Sequence, residues 1–369
     1  MRVLIVGRAW SFHGGLETAT ANLLGALVAH GDDVHLLTPG APPPVRGVTV
    51  HRLRVPPLPP AARVLAVAML ARRALRTRTW DVVQSHERTF GQDVYRAGEG
   101  CHRAYLQHRD DRGGRGLYHR AVLTVERRIF ATTPAIVAIA RVGKEEIERL
   151  YGVDPGRVTV VYNGVDLERF HPANRERFGE AARRDAGISQ DDRIALYVGS
   201  GFARKGLRTA IEALAKLDDG RIRLAVVGRD DETAYRALAD RIGVGRRVIW
   251  LGARPDVERW YAAADVVVLP ARYEPFGNVH LEALASGTPV VASRRAGGAE
   301  VIVDGVNGAV CEPHDTAAFA AGIERLAGQE APVRIGAARA SAEPFTYARQ
   351  VAELRRVWER RRSANGDFP

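Results

Sequence analysis

The sequence predicts an α/β chain made of two doubly wound parallel sheets, and three observations carry that expectation. Short β-branched runs alternate with helical stretches along almost all of the 369 residues. Each half holds enough strand–helix units for a complete sheet of its own. No apolar run approaches the roughly 18 residues that a membrane-spanning helix needs, the longest lying between Arg63 and Arg72.

Taken in order, the first half shows strand patterns at 2–6, 34–37, 48–52, 82–84, 135–138 and 158–160, with helices near 16–30, 61–76, 117–130 and 142–150. Proline-rich 39–44 and 56–60 read as surface loops, because proline removes a ladder donor. The polar stretch 163–192 has no sustained β pattern and should hold the boundary, giving domains 1–165 and 166–346. Strands follow at 194–198, 223–227, 248–251, 266–269, 289–292 and 309–311. The segment 347–369 carries a terminal helix that need not belong to the domain before it and is expected to pack back on the first. Two such sheets in one chain commonly place a ligand in the cleft between them, with closure over it expelling water.

Composition narrows the partners. Basic residues number 54 against 43 acidic, a net charge of +11. Lysine occurs only at 144, 205 and 216, so 54 − 3 leaves 51 arginines. Such a surface favours anions, yet there is no helix-turn-helix, aromatic strand signature or zinc-finger spacing, so specific nucleic-acid binding is not expected. Cys101 and Cys311 are far apart and carry no ligand spacing, which argues against a disulfide scaffold or a zinc site. The apolar segment at Met1–Gly7 is too short for a signal peptide, so a cytoplasmic location is expected.

Three segments could hold chemistry. His13-Gly14-Gly15-Leu16-Glu17 follows the first strand, where paired glycines let a ligand approach the backbone, although a plain tight turn has the same signature. It is not a dinucleotide fingerprint, which argues against a nicotinamide enzyme. Gly199-Ser-Gly-Phe-Ala-Arg204-Lys205-Gly206 follows the first strand of the second half. Its two cations lie where open α/β sheets bind ligands, a place suited to a diphosphate. Pro270 to Ala283 contains Glu274-Pro-Phe276-Gly277-Asn278 and, with seven residues between it and Glu274, Glu282 just inside a helix. Two carboxylates so placed can address two parts of one elongated ligand, while bare Glu-x7-Glu spacing alone would be an ordinary surface pair.

With Gly14-Gly15, Gly199 to Gly206, Ala263-Ala264-Asp265, Glu274 to Glu282 and Ser286-Gly-Thr-Pro-Val-Val, the chain resembles the retaining GT-B glycosyltransferases of the Glu-x7-Glu family over essentially its whole length. Within that family the likeness is to bacterial enzymes that add glucose to an inner-core heptose of lipopolysaccharide. It rests on Gly-Gly-Leu at 14–16, Asp93-Val94-Tyr95 followed by Cys101, Arg204-Lys205-Gly206, and Arg254 before Asp256-Val257. The resemblance implies two Rossmann-like domains, a UDP-sugar donor and a glycolipid or saccharide acceptor. It implies no cofactor and no metal.

Residue by residue, the resemblance gives Arg204 and Lys205 the diphosphate, Glu282 the ribose hydroxyls, and the backbone near Arg254 the nucleobase. Amides of Gly15, Phe276, Gly277 and Asn278 would hold phosphate or sugar, with Gly14 beside them. Glu274 would bond hydroxyls of the donated sugar. His86 matches a loop position that contacts sugar in the family, with a solvated loop histidine as the alternative. Asp93 and Glu99 would lie on the acceptor side, Glu99 standing where that subfamily has aspartate. Arginines 103, 109, 112, 115, 120, 127 and 128 outnumber Asp110, Asp111 and Glu126, so this segment would meet a phosphorylated acceptor or an anionic inner membrane face, or be simply a basic loop. ADP- or GDP-sugars, an epimerase of the same architecture, and a non-catalytic sugar-phosphate binding module remain alternatives.

Overall fold

The computed structural model describes residues 1–8, 15–40, 42, 44–109 and 116–364. It divides into two compact units, Met1–Gly164 with Tyr347–Pro369, and Val165–Thr346.

The first unit holds strands β1 (Arg2–Val6), β2 (Asp33–Thr38), β3 (Val48–Arg52), β4 (Val82–Ser85), β5 (Val94–Arg96), β6 (Ala135–Ala138) and β7 (Val158–Val160). They pair in the order β3-β2-β1-β4-β5-β6-β7, every pair parallel. In β1 alternate side chains enter opposite cores, which is why the strand reads as an unbroken apolar run. Val3 and Ile5 pack with Leu23, Leu24 and Leu27 of helix Gly15–Ala29 and with Val351, Leu354 and Trp358 of helix Tyr347–Ala364. Leu4 and Val6 pack with Ala71 and Leu75 of helix Pro60–Leu75. Arg355 also bonds Asp32, whose carboxylate receives the Met1 amine at 3.0 Å. Burial raises the pKa of that carboxyl, but those two cations outweigh it and hold the value low.

The second unit holds β8 (Arg193–Val198), β9 (Ile222–Val227), β10 (Val248–Gly252), β11 (Val266–Leu269), β12 (Val290–Ser293) and β13 (Gly308–Cys311). They pair in parallel in the order β10-β9-β8-β11-β12-β13. The winding reverses between β1 and β4 in one sheet and between β8 and β11 in the other. At those two places the chain leaves adjacent strands in opposite directions and opens a crevice at their carboxyl ends.

Two stretches depart from the sequence pattern. β5 and the helix His102–Gln107 occupy a stretch with no periodic signal. The charged stretch after Asn163 also contains structure, a π-helical turn Arg175–Gly179 leading into helix Glu180–Asp185. Its charges serve the second unit's interior. Arg175 donates to Ala264 O at 2.6 Å, and Arg183 reaches Asp265 at 3.1 Å, opposite Arg334 at 2.8 Å.

Candidate active site

The loops that leave β8 and β11 meet at the second unit's switch point. Gly206 has φ +76°, and a Cβ there would sit 1.9 Å from Pro270 O, so only glycine lets the two loops touch. Arg272 N adds a bond to Arg204 O at 2.9 Å. At Gly199 a Cβ would fall 2.4 Å from Lys205 Cδ, so the bare backbone makes room for the lysine stem to fold back over the strand end. The short helix Phe202–Lys205 thereby presents both cations toward the β11 loop.

Glu274 is fixed from the other side. Its N–H donates to Arg295 O at 3.2 Å, its carbonyl accepts from Gly297 N at 2.9 Å, and Phe276 O accepts from Gly298 N at 2.7 Å. The Glu274 carboxylate accepts from Arg204 Nη1 at 2.9 Å and lies 3.6 Å from Lys205 Nζ, while the same Arg204 nitrogen donates to Tyr273 O at 3.0 Å. Burial pushes the Glu274 pKa up, but the charges of Lys205 and Arg204 outweigh it and hold the acid ionised. Two cations against one carboxylate leave this largely enclosed spot with a net charge of about +1 at neutral pH, which suits an anion.

Phe276 is buried, Gly277 turns the chain at φ +81°, and Asn278 precedes helix Val279–Ala285. On that helix Glu282 accepts from the Tyr261 hydroxyl at 2.8 Å, and burial raises its pKa. Exposed Arg254 lays its guanidinium over the Trp260 ring at 5.3 Å, one residue from Tyr261. Between the two glutamates sits His280, wholly buried and brought down to a pKa of about 4 by burial. Its neutral ring therefore donates from Nδ1 to Gly277 O at 2.7 Å, bracing the turn. Arg204, Lys205 and Glu274 thus form one cluster, and Glu282 is a second position on the helix that follows Glu274. Sequence reading missed Tyr261 and His280, since an aromatic and a histidine within helical patterns look like ordinary core.

In the first unit the switch-point edge carries His86, whose N–H donates to Val6 O at 2.8 Å. Glu99, beyond β5, is bridged by Arg8, which follows β1, and by Arg88, which follows β4. Burial alone would raise the Glu99 pKa, but Arg88 and Arg8 lower it. Arg8 and Arg88 belong to no motif singled out above, and their positions just past two strand ends were the available signal. Asp93 does not join this group. It precedes β5 at the opposite, amino end of the sheet, where its carboxylate accepts from Val83 N at 2.9 Å and ties β4 to β5. Glu126 is likewise no surface charge: it is wholly buried, accepting from His102 N at 2.8 Å and from the Tyr151 hydroxyl. Gly14 lies outside the described residues, and so do Asp110, Asp111, Arg112 and Arg115, whereas Gly15 opens helix Gly15–Ala29.

Among the described residues no three His, Cys, Asp or Glu side chains are grouped as metal ligands, and no helix is long and apolar enough to cross a membrane.

A family described as Glycosyl transferases group 1 matches residues 178–340, and one described as Glycosyltransferase Family 4 matches residues 13–169. A D-inositol 3-phosphate glycosyltransferase of Xylanimonas cellulosilytica is 32% identical, over 94% of this chain and 91% of that protein. Among solved structures, WaaG, a glycosyltransferase involved in lipopolysaccharide biosynthesis, superposes with a TM-score of 0.81 at 25% identity, covering 95% of this chain and 99% of that one. Anabaena HepE, solved with UDP-glucose, shares the fold with a TM-score of 0.73 at 18% identity, covering 96% and 99%.

Proposed function

The chain belongs to the group 1 glycosyl transferases of GT-B fold, and from that premise we propose that it is a retaining hexosyltransferase, moving glucose from a UDP-sugar to a sugar of a cell-envelope glycolipid such as a lipopolysaccharide-core heptose. The observation that carries this reading is the Arg204, Lys205 and Glu274 cluster at the second unit's switch point. As the bond from sugar to diphosphate breaks, charge grows on the leaving oxygen, and two fixed cations meet it where solvent screening is weak. Glu274, kept ionised by the same cations, bonds hydroxyls of the transferred sugar and faces the oxocarbenium-like centre. The departing phosphate oxygen takes the proton of the acceptor hydroxyl on the same face, so configuration is retained without a protein base. Arg204 and Lys205 supply the neutralising charge that a divalent ion supplies elsewhere, and metal independence belongs to the proposal.

Glu282 takes the ribose hydroxyls, and the backbone near Arg254 takes the base. Uracil as that base is supported by the shared fold of HepE, which was solved with UDP-glucose. On the first unit His86 and Glu99 address a sugar or acceptor hydroxyl. The helix Leu117–Thr132 exposes Leu117, Tyr118, Arg120, Arg127 and Arg128, a combination of apolar and cationic side chains suited to an anionic membrane face. Equal sedimentation with neutral and anionic liposomes would remove that part.

One observation favours a second acceptor. The 32% identical relative carries the name of an enzyme acting on D-inositol 3-phosphate, and Arg8 with Arg88 offers cations for a phosphorylated polyol. The two readings separate when purified protein and UDP-glucose are offered lipopolysaccharide core or D-inositol 3-phosphate. A hexose added to core sugar with retained configuration is the expected product. Transfer only to the inositol phosphate would replace the acceptor, and transfer to neither from any UDP-sugar would remove the donor assignment.

A further inference from the structure

The helix Tyr347–Ala364 reaches the first unit's ligand edge through one polar atom. Trp358 is fully buried, and its indole Nε1 donates to Gln84 Oε1 at 2.9 Å. An indole N–H can only donate, so this bond fixes which end of the Gln84 amide is oxygen. The amide nitrogen then points the other way, to His86 Nε2 at 2.8 Å. An amide NH₂ also only donates, so His86 Nε2 must be the acceptor and carry no proton. In the neutral ring the proton resides on Nδ1, and burial keeps the ring neutral. Among the described residues Nδ1 has no hydrogen-bond partner although it is buried. A donor left in that state is costly, and a bound hydroxyl or water would satisfy it. His86 stands where β4 ends, with its backbone N–H held by Val6 O, so the residue is anchored to both strands of the switch point while its ring is held by Gln84 of β4.

We infer that Trp358 and Gln84 are positioning residues that fix the tautomer of His86, so that its Nδ1–H is offered as a donor to a hydroxyl of the bound sugar. The terminal helix thereby does more than fill the core: it sets the direction of one hydrogen bond at the ligand edge. The inference rests on the proposed role of His86 in sugar binding, and the test keeps the two apart.

Gln84→Glu has nearly the same shape and reversed polarity. Its carboxylate accepts from Trp358 and, through the second oxygen, from His86, which must then protonate Nε2. Nitrogen-15 NMR of histidine-labelled full-length protein, at about pH 9 so that imidazoles are neutral, reads this directly, with His86 signals identified by their loss in His86→Gln. The expected result is a bare Nε2 and protonated Nδ1 in the native chain, and the reverse in Gln84→Glu. Trp358→Phe keeps the bulk but frees the amide to turn over, so both tautomers should appear. UDP release from UDP-glucose should fall about tenfold in kcat in Gln84→Glu, with UDP affinity unchanged. A protonated Nε2 in the native chain, or an unmoved proton in Gln84→Glu, would overturn the relay. A moved proton with unchanged kcat would leave the relay standing and overturn its service to the sugar, and with it the reading of His86.

Discussion

Lys205 and Arg204 share one carboxylate partner, but they differ in enclosure: Lys205 is 13% exposed and Arg204 34%. In the proposed role their common partner, Glu274, addresses the sugar and not the nucleotide. Glu274→Gln should therefore lower kcat by about 100-fold and leave UDP affinity within about threefold, measured by steady-state turnover and by titration; comparable losses in both would contradict the division of roles. Glu282 gives a pH prediction. Its acid form is favoured by burial and opposed by the Tyr261 hydroxyl, which bonds the ionised form. In the proposed role the carboxylate accepts ribose hydroxyls, so UDP affinity should weaken as pH falls through this pKa, and Tyr261→Phe should move that midpoint upward. Identical affinity profiles for the two proteins between about pH 5 and pH 8 would remove Glu282 from the nucleotide site. At this scale the second unit's cluster was legible because motif residues fell just past strand ends. The Arg8, Arg88 and Glu99 group was not, because it joins three loops distant in sequence. Asp93 was misread because a carboxylate that caps a strand start looks like one that faces a ligand.

Among the elements, the two loops of the second unit hold each other through backbone alone. Gly206→Ala must both adopt φ +76° and displace Pro270 O, so it should cost about 2 kcal/mol or more and abolish nucleotide binding. Native-like melting with intact UDP affinity would show that the loops do not need this contact. Most strands were visible as β-branched runs because parallel sheets bury both faces. β5 was not, since it has three residues and its last, Arg96, is a buried cation bonded to Asn163. Burial lowers the Arg96 pKa to about 10, still well above neutrality, so the charge persists inside the strand and hides the apolar signal. The helix within 163–192 was hidden for a related reason, since charge usually marks solvent, whereas Arg175 and Arg183 turn inward to carbonyls and Asp265.

For the whole molecule, each unit carries its own sheet and core, and the helix Tyr347–Ala364 belongs to the first although it follows the second in sequence. Leu354 is wholly buried in that first core. Leu354→Ala should destabilise the first unit by about 2–5 kcal/mol while leaving UDP affinity unchanged, which differential scanning calorimetry and titration would report together. The fold class was legible because two runs of strand–helix units are hard to arrange otherwise. The return of the last helix to the first unit was an expectation from the sequence, although its apolar spacing of 351, 354 and 358 alone would fit the flank of either sheet.

In the proposed reaction Arg204 and Lys205 hold the diphosphate of a UDP-sugar. Calorimetric titration of the protein with UDP, first with chelator and then with Mg²⁺, tests it most directly when repeated on Lys205→Ala. Binding that is the same with and without metal, and weakened at least about tenfold by the substitution, is the predicted result. UDP binding that requires metal, or that is indifferent to the loss of Lys205, would contradict it.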